Sequence, residues 1–323
     1  MNTISVISGI TPNGAPHIGN YIGALRPTIE VSRNINIKTY CFIADLHALI
    51  KLKNPKKIKR YRLEMLAAWL AIGLDPNQVI LYCQSSIPEI TELMWFLCCI
   101  CYKGLLNRAH AYRSLLINGK NNINMGLYSY PLLMAADILL FNANFVLVGK
   151  DQIQHIEITR DIALKFNSMY GKYFVLPKIK LDKRNKIING LDGRKMSKSY
   201  GNTIPLFCTE KTLYNMIRKI KTNSTKVSDP KDIKNCTLFK IFSAFANKEE
   251  IYCLKNRYNE GISWSEVKKI VFDYINESLR SPRDIYLRLL KDYTYINKIL
   301  KKGEDIARYK AKLRISELKN NII

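Results

Sequence analysis

The sequence contains no long uncharged apolar run. No segment reaches the roughly 18 to 20 apolar residues that a membrane-spanning helix needs, so we predict no membrane span. A strand pattern begins within the first residues, and we therefore expect no signal or transit peptide. Internal repeats and low-complexity tracts are also absent. The chain has 323 residues, enough for a large core, and we expect two globular domains.

Acidic residues are scarce. The chain has 26 Asp and Glu against 51 Lys and Arg, which gives a formal net charge of +25 at pH 7. Such an excess of positive charge favours a polyanionic partner, most simply a nucleic acid. The chain is also visibly rich in Lys, Asn and Ile, as an AT-rich genome would produce. The charge therefore supports RNA binding only in part.

A second pair of cysteines at the spacing of a metal site is missing. Eight cysteines are scattered along the chain, and Cys98 and Cys101 have C-x-x-C spacing. These two lie in an apolar helical run with no second pair at zinc-site spacing. We predict core thiols of a cytoplasmic protein, and no protein-bound structural metal.

A glycine- and proline-rich turn lies near the N-terminus. A short buried strand at 3–8 leads into the turn at 11–16, and a helix starts just after His17. The N-terminus of a helix offers free N–H groups and a positive dipole end, which favour anions. Gly19 permits close approach of a nucleotide, while His17 and Asn20 add donors. The alternative is an ordinary β-to-α turn, since glycine-rich turns are weak motifs.

A second candidate phosphate-binding segment lies far downstream. Residues 191–194 break regular structure, and Lys195 and Lys198 then flank Met196 and Ser197. Two ammonium groups on a mobile loop can stabilise negative charge as it develops on a departing pyrophosphate. The alternative is a solvated basic loop, because the chain is rich in lysine.

The order of predicted elements indicates an α/β fold. Helical patterns separate buried strand patterns at 3–8, 39–44, 79–82 and 145–148. This order predicts a doubly wound, parallel, Rossmann-like sheet with ligands at the carboxyl edge of the strands. We assign 1–205 to this domain, with an irregular basic insertion around 102–124.

Residues 206–323 are predicted to be helical throughout. The last helix is expected to bury a stripe of Ile306, Tyr309 and Leu313. Its basic residues are expected to face solvent, namely Arg308, Lys310, Lys312 and Arg314. This basic helical domain is the predicted nucleic acid-binding part of the chain.

A lone acidic residue lies in an apolar helix. The pattern predicts a helix that begins at Pro131, with Tyr130, Met134, Asp137 and Phe141 on one face. A carboxylate among apolar side chains is costly unless it is paired. A ligand donor such as an indole N–H would suit Asp137, and a structural bond to a backbone N–H or an arginine is the alternative.

A polar helix face follows the strand at 145–148. Asp151 and Gln152 begin a helix in which Gln152, His155 and Thr159 share one face. Asp151 is well placed to accept hydrogen bonds from ribose hydroxyls, or it is a simple N-cap. His155 has no assigned role beyond a structural hydrogen bond.

Four segments together resemble one family. They match bacterial tryptophanyl-tRNA synthetases, which are class I aminoacyl-tRNA synthetases closely related to the tyrosyl enzymes. The match covers essentially the whole chain and is weakest in the insertion and the C-terminal helices. The matching segments are SGITPNGAPHIGNYIGALRP (8–27), ADLHAL (44–49), YPLLMAADILLFNANFVLVGKDQIQHIEITRDIA (130–163) and LDGRKMSKSYGNTIPLF (191–207).

The resemblance implies an activity and a set of site residues. The family joins L-tryptophan to Mg-ATP as an adenylate and then transfers the amino acid to tRNA(Trp). The implied catalytic residues are His17, Asn20, Lys195 and Lys198. The implied ATP site consists of Thr11, Pro12, Asn13, Gly19, Asn20, Gly149, Lys150, Asp151, Lys195, Met196, Ser197, Lys198 and Ser199. The implied tryptophan site consists of His47, Tyr130, Met134, Asp137 and Gln152.

The resemblance also implies a cytoplasmic homodimer in which 206–323 binds the tRNA anticodon. Thr11 stands where many members have Gln, and the insertion lysine that many members have is matched only by Arg113, in an uncertain alignment. The cysteine pattern of iron–sulfur members is absent, so no cluster is predicted. A tyrosyl-tRNA synthetase, a small-molecule nucleotidyltransferase and a non-catalytic RNA-binding paralogue remain the alternatives.

Overall fold

The central element of the fold is a parallel sheet. The structure, a computed structural model, describes residues 4–117, 123–180 and 188–323. Five strands in this part of the chain form one sheet in the order β3-β2-β1-β4-β5, and all neighbouring pairs are parallel. The strands are β1 (Ile4–Ile10), β2 (Ile37–Ile43), β3 (Val79–Cys83), β4 (Phe145–Leu147) and β5 (Lys178–Lys180). The predicted doubly wound, Rossmann-like topology is confirmed.

Helices cover both faces of the sheet, and further helices follow β5 in the described part of the chain. The helices are α1 (Ile18–Asn20), continued by a π-helical segment (Tyr21–Leu25) into α2 (Arg26–Ser32), α3 (Asp45–Ala48), α4 (Pro55–Ala71), α5 (Glu89–Ile100), α6 (Lys103–Asn107), α7 (His110–Ile117), α8 (Met125–Leu139), α9 (Ile153–Tyr170), α10 (Glu210–Lys219), α11 (Thr237–Phe245), α12 (Lys248–Glu260), α13 (Trp264–Ser278), α14 (Arg280–Lys291) and α15 (Tyr293–Ile322). Short 3-10 turns occur at Gln84–Ser86, Lys150–Gln152 and Lys198–Tyr200. As predicted, residues 206–323 form helices and no strand.

The alternation of side chains along β2 divides the core in two. Cys41 and Ile43 face a cluster that contains α4 and several C-terminal helices. Tyr40 and Phe42 face the opposite cluster, which contains α5, α8 and α9. Because successive side chains of a strand point to opposite faces, the apolar run at 40–43 must be covered on both sides.

Local signals set the ends of α4. The side chain of Asn54 accepts a hydrogen bond from the N–H of Lys57, and Pro55 is the first helical residue, where its missing N–H costs nothing. The helix ends before Gly73, which has a φ of 105°. Both ends of α4 are therefore set by residues that lie at those ends.

Two predicted segments differ in the structure. The helix expected from Pro131 begins at Met125, because the Asn124 side chain caps it by accepting from the N–H of Leu127 at 2.9 Å. Pro131 therefore lies inside α8. The segment at 102–124, predicted to be irregular, contains α6 and α7, and its residues 118–122 lie outside the described part.

The C-terminal helix α15 returns to the sheet and packs on β3. Gly303 makes this possible, since a Cβ there would lie 2.0 Å from the Leu81 carbonyl oxygen. The predicted buried stripe is wrong: Ile306, Tyr309 and Leu313 are 40%, 67% and 49% exposed. The buried face consists of Ile296, Leu300, Gly303, Ala307, Ala311, Ile315 and Leu318. The small residues on this face allow α15 to approach the sheet closely, which larger side chains would prevent.

Two of the basic side chains of α15 contact other elements, although Arg308 remains exposed as predicted. Arg308 lies 3.6 Å from Glu89 of α5. The Arg314 guanidinium donates to the Tyr173 carbonyl oxygen at 3.1 Å and lies over the ring of the same residue. Arg314 is thus wrongly predicted as a solvent-facing residue, while Lys312 is exposed as expected.

The cysteines are free thiols, but few of them lie in the core. Cys41 and Cys83 are buried, whereas Cys98 and Cys101 are partly exposed and Cys99 is exposed. Cys98 and Cys101 nevertheless pack against the core cluster that contains α5, α8 and α9, so the predicted core thiols lie at the edge of the core. In the described ranges, no group of three or more His, Cys, Asp or Glu side chains could hold a metal ion. No described helix is long and apolar enough to cross a membrane.

Candidate active site

A cleft of about 810 Å³ opens at the point where the strand order reverses. β1 and β4 are neighbours there but their connections leave in opposite directions, which is where open α/β sheets bind ligands. Predicted site residues that line the cleft are Thr11, Asn13, His17, Asn20, His47, Tyr130, Met134, Asp137, Asp151, Gln152, Met196, Ser197, Lys198 and Ser199. The cleft therefore brings together residues from all four matched segments.

His17 and Asn20 form a reciprocal capping box at the start of α1. The Asn20 N–H donates to His17 Nδ1 at 3.3 Å, and the His17 N–H donates to Asn20 Oδ1 at 3.1 Å. Burial, together with the charge of Lys198, lowers the pKa of His17 to about 4. The ring is therefore neutral near pH 7, and because Nδ1 accepts, the proton lies on Nε2. His17 can thus donate from Nε2 to an anion in the cleft.

The downstream loop packs directly against the first motif. The N–H of Ile18 donates to the Ile204 carbonyl at 2.9 Å, and the N–H of Leu206 donates to the Pro16 carbonyl at 3.0 Å. The two segments are nearly two hundred positions apart in sequence, and the backbone pairing makes them one wall of the cleft.

Lys198 extends from this loop to the turn that precedes His17. A Cβ on Gly14, which has a φ of +132°, would lie 3.1 Å from Lys198 Nζ. Gly14 therefore provides both the left-handed turn and the space for the ammonium group. Burial lowers the pKa of Lys198 to about 8. Lys195, by contrast, is exposed and lies 3.9 Å from Asp151 Oδ2.

Asn202 organises the loop. Its Nδ2 donates to Asp192 Oδ1 at 2.7 Å and to the Lys195 carbonyl at 3.2 Å, and its Oδ1 accepts from the Ser197 N–H at 2.8 Å. This buried side chain satisfies backbone groups on both sides of the loop. With the Asn202 and Arg194 hydrogen bonds, the pKa of Asp192 falls to about 2.

Asp137 lies fully buried at the inner end of the cleft. Gln84 Nε2 donates to both of its oxygens, at 2.8 and 2.9 Å. His47 Nε2 lies 3.1 Å from Oδ2. Burial raises the pKa of Asp137, while the hydrogen bonds from His47 and Gln84 oppose that shift. In the described ranges, the partners of the carboxylate are side chains and include neither a backbone N–H nor an arginine. Asp137 still lines the cleft.

Gln84 is a functional candidate that the sequence did not reveal. Its Oε1 accepts from the N–H groups of Leu46 and His47 at 3.1 and 3.3 Å. Next to it, Ser85 donates to buried Asp45 from both its N–H and its hydroxyl. The residues after β3 therefore hold the first turn of α3 in place beside Asp137.

A chain of polar side chains lines the opposite side of the cleft. The Tyr130 hydroxyl contacts His155 Nε2. His155 Nδ1 lies 3.0 Å from Gln152 Oε1, and Gln152 Nε2 lies 3.1 Å from Asp151 Oδ2. His155 is 4% exposed and lies behind Tyr130 and Gln152.

Some predicted residues lie outside the cleft wall. Pro12, Gly19, Gly149 and Lys195 are not lining residues, although each adjoins one. The side chain of Lys150 lies outside the described part of the chain, while its backbone begins a 3-10 turn. Arg113 is exposed in α7 and does not line the cleft. Lys51, which was not predicted, does line it.

Comparison with known proteins places these features in a family. A family model described as tRNA synthetases class I (W and Y) matches residues 1–281. The tryptophan–tRNA ligase of Neisseria meningitidis is 42% identical over all of this chain and 98% of its own length. That of Pseudomonas aeruginosa is 44% identical over 99% of this chain and 74% of its own length. The ligase of Xylella fastidiosa is 48% identical over 88% of this chain and 67% of its own length.

Solved structures give the same result. The tryptophanyl-tRNA synthetase of Campylobacter jejuni, complexed with ADP and tryptophan, has a TM-score of 0.87 and 39% identity, with 99% of each chain covered. The tyrosyl-tRNA synthetase of Archaeoglobus fulgidus has a TM-score of 0.70 at 18% identity, with 88% of this chain and 90% of that chain covered. The second likeness is one of fold alone.

Proposed function

The chain belongs to the class I tRNA synthetases of the tryptophan and tyrosine group, and we infer that it acts there as a tryptophan–tRNA ligase. It activates L-tryptophan with ATP and transfers the product to tRNA(Trp). The observation that carries this conclusion is the 42% identity that extends over 98% of the Neisseria meningitidis tryptophan–tRNA ligase. The family resemblance expected from the sequence is confirmed, and the tyrosyl alternative is not supported.

Asp137 is the proposed acceptor for the indole N–H. Apolar side chains line the cleft around it, among them Phe42, Met134 and Val146. A flat aromatic ring with one N–H donor matches an apolar wall that contains one carboxylate. His47 and Gln84 hold that carboxylate in a fixed orientation. A ligand without the indole N–H would leave one buried lone pair of Asp137 without a donor, which is the proposed source of selectivity.

The ATP phosphates are proposed to lie between the two paired segments. An oxygen of the tryptophan carboxylate attacks the α-phosphorus, and the bond from that phosphorus to the pyrophosphate oxygen breaks. The nucleophile is already ionised, so the protein supplies no general base. His17 Nε2–H and the Lys198 ammonium group are placed to stabilise charge on the phosphates, and catalysis rests on positioning and electrostatics.

The adenosine part of ATP is proposed to lie near Asp151. The carboxylate lines the cleft after β4, at the place where such folds bind ribose hydroxyls. Close packing supports this assignment, since a Cβ on Gly149 would lie 2.8 Å from Asp151 Oδ1. In the second reaction, a hydroxyl oxygen of the terminal tRNA adenosine attacks the acyl carbon and loses its proton. The bond from that carbon to the phosphate oxygen breaks, and AMP leaves.

Mg²⁺ is proposed to enter with ATP. The described residues provide no cluster of three metal-binding side chains, which fits an ion that keeps several waters and is bound largely by substrate phosphates. When bound, the ion would neutralise phosphate charge. His17, Asn20 and Lys198 would then orient the phosphates that carry it.

Residues 206–323 are proposed to bind the tRNA anticodon, and 1–205 to carry the chemistry. The net charge of +25 supports a polyanionic partner. Helix α15 packs on β3, so a tRNA held by the helical part would be linked mechanically to the sheet that carries the cleft.

A cytoplasmic homodimer is proposed as the functional form. Trp95 is 70% exposed and Tyr102 is 76% exposed, both at or just after α5, and Leu164 is 50% exposed on the neighbouring α9. Large exposed apolar side chains of this kind mark interfaces. Trp95→Glu should convert a dimer to a monomer in sedimentation velocity; an unchanged sedimentation coefficient would place the interface elsewhere.

Pyrophosphate exchange with each of the twenty amino acids tests the activity. Exchange should depend on tryptophan and be negligible with tyrosine. Exchange with tyrosine alone would overturn the assignment, and the absence of exchange with any amino acid would favour a non-catalytic role.

A further inference from the structure

We propose that His155 positions Tyr130 and Gln152 so that an oxygen of each accepts a hydrogen bond from the ammonium group of the bound amino acid. The inference rests on the proposed tryptophan activation and adds a positioning residue to it. His155 does not line the cleft itself; it acts through two residues that do.

The first step is the orientation of the Gln152 amide. Its Nε2 lies 3.1 Å from Asp151 Oδ2. A carboxylate oxygen can only accept, so the NH₂ group of Gln152 must be the end that faces Asp151. The carbonyl oxygen of Gln152 is therefore the end that faces His155.

The second step fixes the proton on His155. Gln152 Oε1 lies 3.0 Å from His155 Nδ1. A carbonyl oxygen can only accept, so Nδ1 carries the hydrogen. Burial lowers the pKa of His155 to about 4. The ring is therefore neutral near pH 7, and its Nε2 has no hydrogen.

The third step fixes the Tyr130 hydroxyl. Burial raises the pKa of Tyr130, so the phenol keeps its proton. Because His155 Nε2 can only accept, the Tyr130 O–H donates to it. The lone pairs of the phenolic oxygen then remain available to the cleft.

The result is a matched pair of acceptors. The Tyr130 oxygen and the Gln152 carbonyl oxygen each retain a lone pair, and both residues line the cleft. An ammonium group has three donors and no acceptor, so it fits this pair. The opposite tautomer would turn the Tyr130 hydrogen toward the cleft, where it would repel the ammonium group.

Two substitutions of His155 test the proposal. Phe keeps a planar ring but removes both hydrogen bonds, whereas Gln can donate to Gln152 and accept from Tyr130. In pyrophosphate exchange, His155→Phe should raise the KM for tryptophan by roughly ten- to a hundredfold, as expected for lost hydrogen bonds to a charged group. The KM for ATP should change by less than about twofold, and His155→Gln should recover most of the loss.

An amino acid analogue without the ammonium group separates positioning from general damage. Indole-3-propionate should inhibit the wild-type enzyme and His155→Phe with similar inhibition constants, because it makes no use of the acceptor pair. Equal weakening of tryptophan and of this analogue would overturn the proposal and indicate a collapsed pocket. Unchanged tryptophan KM in His155→Phe would overturn it as well.

A double-mutant cycle gives the third readout. If His155 acts in part through Tyr130, adding His155→Phe to Tyr130→Phe should raise the KM for tryptophan by a smaller factor than adding it to the wild type does. Full additivity would contradict the proposal. Failure of the proposed function is distinguishable, since the wild-type enzyme would then show no tryptophan-dependent exchange.

Discussion

The side-chain amide of Gln84 bridges both carboxylate oxygens of Asp137, at 2.8 and 2.9 Å. Its other end accepts from two N–H groups at the start of α3. A fully buried residue thus links the turn that carries His47 to the carboxylate. Since Asp137 accepts from Gln84 and His47 together, its orientation is set before any ligand arrives, which reduces the cost of binding.

Gln84→Glu should make tryptophan binding depend on pH. The new carboxyl group would lie against Asp137, and two such groups at this distance share a proton. When that proton is present, the introduced carboxyl group can donate to Asp137 as the amide of Gln84 does. As the pH rises the proton is lost and the pair repels, so the KM for tryptophan should increase with pH, whereas the wild-type KM should not follow this pattern.

Gln84→Met is the control for this substitution. Its side chain has a similar length and no titratable group, so its loss of tryptophan affinity should be the same at pH 6 and pH 8. A pH-independent KM in Gln84→Glu would show that Gln84 does not control Asp137.

Asp137→Ala should impair tryptophan binding selectively. It removes the proposed acceptor for the indole N–H, and the loss of a hydrogen bond to a charged group corresponds to roughly a ten- to hundredfold higher KM for tryptophan. The ATP site is formed by other segments, so ATP affinity measured by equilibrium binding should be nearly unchanged. A tryptophan KM like that of the wild type would contradict the role of Asp137.

Much of the fold could be predicted because its central strands are runs of buried apolar residues. β5 could not, since Lys178–Lys180 has a single apolar residue and depends on hydrogen bonds to β4. The buried face of α15 was missed because it includes Gly303, Ala307 and Ala311, whose small side chains carry little hydrophobic signal. The predicted stripe followed the large apolar residues Ile306, Tyr309 and Leu313, which lie on the exposed face.

The site was only partly predictable for a related reason. A lone carboxylate in an apolar helix identifies Asp137 from the sequence. Gln84 has no such signal, since a glutamine after a buried strand is ordinary until the fold brings α8 and α3 beside it. The role of His155 likewise depends on a chain of contacts from Asp151 to Tyr130 that spacing along one helix cannot reveal.

Lys198 should give the enzyme an alkaline limit. Its pKa of about 8 means that the ammonium group is charged below that pH and neutral above it. With tryptophan saturating, kcat/KM for ATP reports the enzyme form that has not yet bound ATP. This parameter should fall as the pH rises through about 8.

Lys198→Arg provides the matched test, because arginine stays charged throughout this range. The variant should lose the alkaline fall, even if its activity at pH 7 is lower. The same fall in Lys198→Arg, or a flat wild-type profile up to pH 9.5, would assign the alkaline limit to another group.

Gly303→Ala should destabilise the protein, although the same change in an exposed helix usually stabilises it. The added Cβ would lie 2.0 Å from the Leu81 carbonyl oxygen, so α15 would have to move away from β3. We expect the free energy of unfolding to fall by about 1 to 3 kcal/mol, as for other overpacked sites.

Gly104→Ala is the control, because its Cβ would meet nothing within 4 Å. We expect its free energy of unfolding to rise by up to about 1 kcal/mol. Thermal denaturation of the two variants measures the contrast, and equal melting temperatures would argue against close packing of α15.

Binding of tRNA(Trp) should weaken steeply with salt. Each phosphate that the protein neutralises releases counterions, so a plot of log affinity against log salt has a slope of roughly −0.7 to −0.9 per contact. With a net charge of +25, we expect a slope steeper than about −3 in filter binding, which corresponds to four or more phosphate contacts.

Lys312→Ala removes an exposed charge from α15 and should make the slope shallower if α15 lies along the tRNA. Arg314→Ala differs, since that guanidinium is held by Tyr173 and its loss should lower the melting temperature as well. A flat slope in the wild-type protein would mean that the positive charge reflects amino-acid composition and not an RNA-binding surface.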